Sequence, residues 1–291
     1  MIRTLAALAA AAVAALAPLA AEAFTSSRIS VEVRGSGPDV VLIPGLSSSP
    51  EVWESTVAAL PGYRYHLVHV AGFAGKPAGA NGSGPMLAPV ADEIARYVAE
   101  EKLKRPALVG HSLGGAWAMM VAARHPNTAS RVMVVDMMPF MGALFGGPAA
   151  TPESLRPVAG QIRKMISEGK GEQRRAMTEQ TIETMVATEA LRPRAVAHSL
   201  QSDAAVSGQA MSELITTDLR PELASIKVPL TVLWVHPPAA PVTEAQMTAF
   251  YKASYARAPQ AVVKQVPNSR HFIMWDAPEE FRRELAAFLK P

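Results

Sequence analysis

Apolar and polar positions along the chain switch between two periods. Ile29-Ser-Val-Glu-Val-Arg34 alternates and predicts a half-buried strand, whereas Val40-Val-Leu-Ile43 is a continuous apolar run suited to a strand covered on both faces. Tyr65-His-Leu-Val-His-Val70 predicts a third strand. The period then lengthens, and Val90, Ile94, Val98 and Leu103 share one face of a helix expected from about Leu87 to Lys102. Short apolar runs return at Ala107-Leu-Val109, Val132-Met-Val-Val135, Leu230–Val235 and Ala261–Val266. Strands alternating with helices in this way predict an α/β fold, with a mainly parallel, doubly wound sheet that takes its ligands at the carboxyl ends of the strands.

Local signals set the helix boundaries. Ser49-Pro50-Glu51 marks a helix entry, Thr243 and Gln246 have the spacing of a capping box, and Asp276-Ala-Pro-Glu279 reads as a second such box before a last helix from about Pro278 to Leu289. The alternation breaks between about Phe140 and Pro221. That stretch carries helical spacing around Leu155–Ser167, Arg174–Thr188 and Val206–Thr216, with no strand pattern. Residues 24–139 and 222–291 are therefore expected to form the core, and residues 140–221 a helical cap over the carboxyl edge of the sheet.

The first 23 residues change the picture of where the chain works. Arg3 precedes an Ala/Leu-rich run from Leu5 to Ala21, which is broken by Pro18 and closed by Ala21-Glu-Ala23. A cleaved signal peptide explains this better than a membrane anchor, and the remainder is expected to be exported, periplasmic or secreted, with no stable anchor. Cysteine is absent, which excludes disulfides and lipid attachment through a cysteine. The net charge of +3 comes from Lys and Arg scattered among Asp and Glu, so no nucleic-acid partner is expected.

The densest chemical signal is Pro106-Ala-Leu-Val-Gly-His-Ser-Leu-Gly-Gly115. Ser112 sits in a G-x-S-x-G frame between a buried strand and an Ala/Met-rich helix, where a sharp turn tolerates only small neighbours and pushes the hydroxyl outward. With Pro44-Gly-Leu46 after Val40–Ile43 and Ser-Arg-His271-Phe before the last helix, the chain resembles the α/β-hydrolase fold superfamily, and within it the serine esterases and lipases with a helical cap.

The resemblance implies a serine nucleophile at Ser112, His271 as its base, and backbone amides of Leu46 and Leu113 as the oxyanion hole. The other histidines have plainer places in strands, helix ends or the cap, with His236 the one rival near the edge. The acid departs from the family's commonest position, because Trp234-Val-His-Pro-Pro-Ala-Ala-Pro-Val242 has no carboxylate. Asp136, which ends the strand after the elbow helix, is the expected acid. Glu244 is the alternative, Asp276 reads as a helix cap, and a Ser-His dyad completed by water is a third arrangement.

Met137, Met138 and Phe140 are candidates for an adaptable acyl pocket, with Met141, Leu144 and Phe145 beside them, although sheet-to-cap packing alone would use the same residues. The implied activity is hydrolysis of a small-molecule carboxylic ester through an acyl-enzyme, with neither metal nor organic cofactor. Amidase, peptidase, lactonase or thioesterase chemistry uses the same machinery, and a weakly catalytic binding protein is the reading from outside enzymology.

Overall fold

The computed structural model describes residues 24–236 and 242–290. The expected signal peptide and the proline-rich segment 237–241 lie outside the described residues. Seven strands make one sheet: β1 (Ile29–Gly35), β2 (Asp39–Ile43), β3 (Arg64–Val70), β4 (Ala107–His111), β5 (Arg131–Val135), β6 (Leu230–Trp234) and β7 (Ala261–Gln265). Their order is β1-β3-β2-β4-β5-β6-β7, with β1 antiparallel to β3 and every other pairing parallel. The helices are α1 (Glu54–Ala59), α2 (Leu87–Glu100), α3 (Leu113–Arg124), α4 (Ala143–Gly146), α5 (Pro152–Glu168), α6 (Gly171–Met185), α7 (Arg192–Gln201), α8 (Ala204–Thr216), α9 (Glu244–Ser254), α10 (Ile273–Asp276) and α11 (Pro278–Leu289).

Strand side chains alternate between two cores. Val41, Ile43, Leu108, Val132, Val134 and Val232 pack under α2, α3 and α9, while Val40, Leu42, Val109, Met133, Val135 and Leu233 face α11 and the Trp53 turn. Burial on both faces explains why the central strands read as unbroken apolar runs rather than as alternating ones. Helix α3 is buried along almost its whole length, from Leu113 to Ala122, and its Trp117 donates to the Leu87 carbonyl at 3.0 Å.

Helices α4–α8 are inserted between β5 and β6. Helices α5 and α8 pack closely across Gly208, where an added Cβ would lie 2.4 Å from the Ser167 hydroxyl oxygen. The insert is tied to the carboxyl side of the sheet at several points. Ser47 meets Ser207 of α8 at 2.8 Å between hydroxyls, and Phe272 donates to the Met185 carbonyl of α6 at 3.3 Å. On the flank, the Glu213 carboxylate of α8 accepts from the Met86 and Leu87 amides at 3.0 and 2.8 Å, satisfying the open N-terminus of α2. Among the described residues no helix is long and apolar enough to cross a membrane.

The structure corrects one boundary signal. The Thr243–Gln246 capping box is present, but Asp276 ends the short helix α10 and does not cap α11, whose N-cap Ala277 has no side-chain bond. Its carboxylate instead turns outward to the amides of Ala187, Thr188 and Arg270 at 3.0, 2.9 and 3.1 Å, because three unpaired donors from the end of α6 and the loop before α10 converge there.

Candidate active site

Strand β4 leads into α3 through a turn that its glycines alone permit. A Cβ on Gly110 would lie 2.1 Å from the Gly114 carbonyl oxygen, and one on Gly114 would lie 2.2 Å from that of Ile43. Ser112 takes φ 54° and ψ −124°, a conformation costing about 1–3 kcal/mol for a residue with a side chain. Its N–H is anchored to the Val135 carbonyl at 2.8 Å. Leu113 is the first residue of α3, and Leu46 follows β2 on the neighbouring strand. Among the described residues neither Leu46 nor Leu113 makes a hydrogen bond through its amide, so both N–H groups remain available at the carboxyl edge.

Asp136 leaves β5 directly beside this turn, also at positive φ (54°). Its Oδ2 meets His271 Nδ1 at 2.6 Å, while Oδ1 accepts from the Tyr251 hydroxyl at 3.1 Å and the Val235 amide at 3.2 Å. Burial, then the neighbouring Asp136, pushes the Tyr251 phenol well above its ordinary range, so it stays protonated and donates. Glu244 is exposed in the first turn of α9, and His236 donates to the Val242 carbonyl at 2.8 Å; neither joins the group around His271.

His111 lies beneath. Its Nε2–H donates to the His271 carbonyl at 3.0 Å and the two imidazoles sit 4.6 Å apart. The ring is buried, and burial followed by repulsion from His271 drives its pKa well below 6.5. It is therefore a neutral donor and a fixed floor under the His271 loop.

Ser112, Asp136, His271 and the Gly45–Ser48 loop line one cavity of about 510 Å³, whose other wall is the inserted helices. That volume suits a small-molecule ligand. Met137 and Met138 line it, as do Met141, Leu144 and Phe145. Phe140 does not. It points away into a small core with Ala143, Leu155 and Ile215, and the Arg220 guanidinium lies 4.6 Å over its ring. The Pro139 carbonyl accepts from Leu219 at 2.8 Å, which closes the base of the insert and turns Phe140 inward. Among the described residues no three or more His, Cys, Asp or Glu side chains are grouped to hold a metal ion.

A model of the alpha/beta hydrolase family matches residues 40–284. The chain belongs to that family. A pimeloyl-[acyl-carrier protein] methyl ester esterase of Vibrio atlanticus is 29% identical to this chain over 216 residues, 69% of this chain and 77% of the relative. Its counterpart in Aeromonas hydrophila is 34% identical over 143 residues, 47% of this chain, and that match spans about half (54%) of the relative's length. Among solved structures, an esterase from Exiguobacterium antarcticum superposes with TM-score 0.73 at 22% identity, covering 90% of this chain and 96% of that one. An enol-lactonase from Burkholderia xenovorans LB400 superposes with TM-score 0.70 at 20% identity, with the same 90% and 96% coverage. At these identities the two superpositions speak for the fold.

Two residues of the candidate site carry no sequence signal of their own. Tyr251 reaches Asp136 because the Thr243 capping box sets the phase of α9, and the pattern around it marks only a buried position. His111 occupies the variable place of the elbow, and its contact with His271 is visible only once β4 and the loop before α10 are brought together.

Proposed function

We propose that this α/β-hydrolase is an exported serine hydrolase that cleaves carboxylic esters through an acyl-enzyme intermediate. The observation that carries the reading is the 2.6 Å contact between His271 Nδ1 and Asp136 Oδ2, made in the same cavity that the Ser112 elbow lines. With Nδ1–H directed at the carboxylate, Nε2 is left as the proton acceptor, the tautomer that a general base needs.

Ser112 Oγ attacks the ester carbonyl as His271 Nε2 takes its proton, and the tetrahedral oxyanion receives the amides of Leu46 and Leu113. Collapse breaks the bond to the alkoxy oxygen, which leaves as an alcohol with the proton from His271. Water then attacks the acyl-serine with His271 again as base, and the carboxylic acid departs as Ser112 regains its proton. Asp136 holds the imidazole and stabilises its charged form throughout. The nucleophile, the base, the acid and the oxyanion donors in this sequence are all supplied by the chain.

The curated relatives named as methyl ester esterases support ester cleavage, and the Leu5–Ala21 run supports export with a mature start at Phe24. A fluorophosphonate is expected to label Ser112, and Ser112→Ala to abolish turnover of a short-chain chromogenic ester. Wild-type protein that resists the label, or a panel in which amides or lactones are cleaved and esters are not, would sink the esterase reading. Amino-terminal sequencing of periplasmic material tests the export.

A further inference from the structure

We infer that the cavity beneath the inserted helices is a site for one long, flexible, uncharged acyl chain, running from Ser112 past Met137 and Met138 to a rim of Leu144, Phe145 and Met165. Its orientation, with the acyl carbonyl at Ser112, rests on the ester-hydrolase reading above.

Three independent observations converge on this. The wall is unusually pliable, since seven of the chain's fourteen methionines line this one cavity. Unbranched thioethers repack around a chain that itself has many conformers, whereas a rigid ring is better held by branched or aromatic walls. The rim is apolar yet open to solvent, with Leu144, Phe145 and Met165 exposed by 54%, 45% and 50%. These are three of the six large hydrophobic side chains exposed among the described residues, and all three border the cavity, which marks the place where an apolar ligand continues outward.

Charge supplies the third observation. Apart from Asp136, the histidines and the protonated Tyr251 phenol, Arg174 is the one ionisable side chain on the wall, and its Nη2 already donates to the Ser199 and Ser202 carbonyls at 2.9 and 2.7 Å. Both two-point geometries by which a guanidinium grips a carboxylate use Nη2, so neither is open to a charged tail. A carboxylate at the far end of the acyl chain would therefore lose water for single-point contacts to Nε or Nη1 alone, without the two-point grip that repays burial of the charge. The acyl unit remains attached to Ser112 after the alcohol has left, so it is the part of the substrate for which an enclosed apolar wall is of continuing use.

The test is a series of p-nitrophenyl esters: acetate, butyrate, octanoate, laurate, and the mono-ester of octanedioic acid, which matches octanoate in length but ends in a carboxylate. The site predicts that kcat/KM rises about fourfold per added methylene up to octanoate. It also predicts that the octanedioate ester falls on the order of a hundredfold below octanoate. Phe145→Ser and Met165→Ser, made at exposed positions where folding is little affected, are expected to lower the laurate-to-acetate ratio of kcat/KM. Calorimetric binding of methyl octanoate, against monomethyl octanedioate, to Ser112→Ala reads the site without turnover. Turnover and Ser112 labelling with a flat chain-length profile would overturn the acyl site while leaving the esterase reading intact. So would a rise with alkyl acetates in place of acyl esters. No labelling and no turnover, with methyl octanoate still bound in preference to the charged analogue, would remove the esterase reading and keep the chain site. Failure of binding as well removes both.

Discussion

The two carboxylate oxygens of Asp136 are occupied differently: Oδ2 faces His271, and Oδ1 is fixed by the Tyr251 hydroxyl and the Val235 amide. A carboxylate steered from both sides has one rotamer available, and the imidazole inherits its orientation. Asp136→Asn should lower kcat by about 10⁴-fold, the loss known for an amide replacing the acid of a Ser-His-Asp triad. Tyr251→Phe removes one hydrogen bond to a charged group, worth about 1.5–3 kcal/mol, and should lower kcat by about tenfold with little change in KM. Glu244→Ala should leave ester turnover at the wild-type rate; a large loss there would move the acid to α9. Ser112 was legible because an elbow needs glycine at fixed spacing, and Asp136 because the place after β6 is bare of carboxylates. Tyr251 was illegible for the opposite reason, since any large residue filling that buried position of α9 would give the same pattern.

At the scale of elements, the inserted helices are held to the core by polar contacts, two of which satisfy backbone amides. Glu213 supplies the N-terminus of α2, Asp276 receives the amides after α6, and Ser207 meets Ser47 beside Leu46. Glu213→Ala should cost about 1 kcal/mol of stability, the usual worth of an N-terminal cap, read as a lower urea midpoint at unchanged slope. Asp276→Ala should loosen the loop that carries His271 and reduce kcat, with ester turnover and amide exchange at Ala187 and Thr188 as the measurements. The central strands were readable from the chain because burial on both sheet faces demands continuous apolar runs, and β1 because its alternation marks a half-buried edge. Helix α7 was not, because in Arg192–Gln201 only Ala195 and His198 are buried and no apolar stripe forms. Asp276 misled for a related reason: its spacing to Glu279 fits a capping box, and only the approach of α6 reveals the stronger donors.

For the whole molecule, burial sets the pH range of stability. His66 and His111 are both buried and both held below the ordinary value of 6.5, chiefly by loss of water. Below pH 6.5 the unfolded chain binds protons that the folded chain refuses. Their contribution is therefore complete above about pH 6.5 and is lost as pH falls toward the folded values, at no more than about 1.4 kcal/mol per pH unit for each histidine. The urea midpoint should fall between pH 7 and pH 5, and His66→Gln should flatten part of the slope. A midpoint constant over that range would contradict the burial of neutral imidazoles.

The adjacency of β4 and β5 has an evolutionary consequence. Ser112 and Asp136 close the two strands of a single strand-helix-strand segment, so the proposed nucleophile and acid are inherited together, and a recombination anywhere outside that segment cannot separate them. On that proposal the connection from β6 to α9, which contains no carboxylate, carries no catalytic group. Transplanting residues 110–136 into a relative whose acid follows β6 would give a chimera with two carboxylates competing for one histidine, a route by which the acid could migrate between strands without an inactive intermediate.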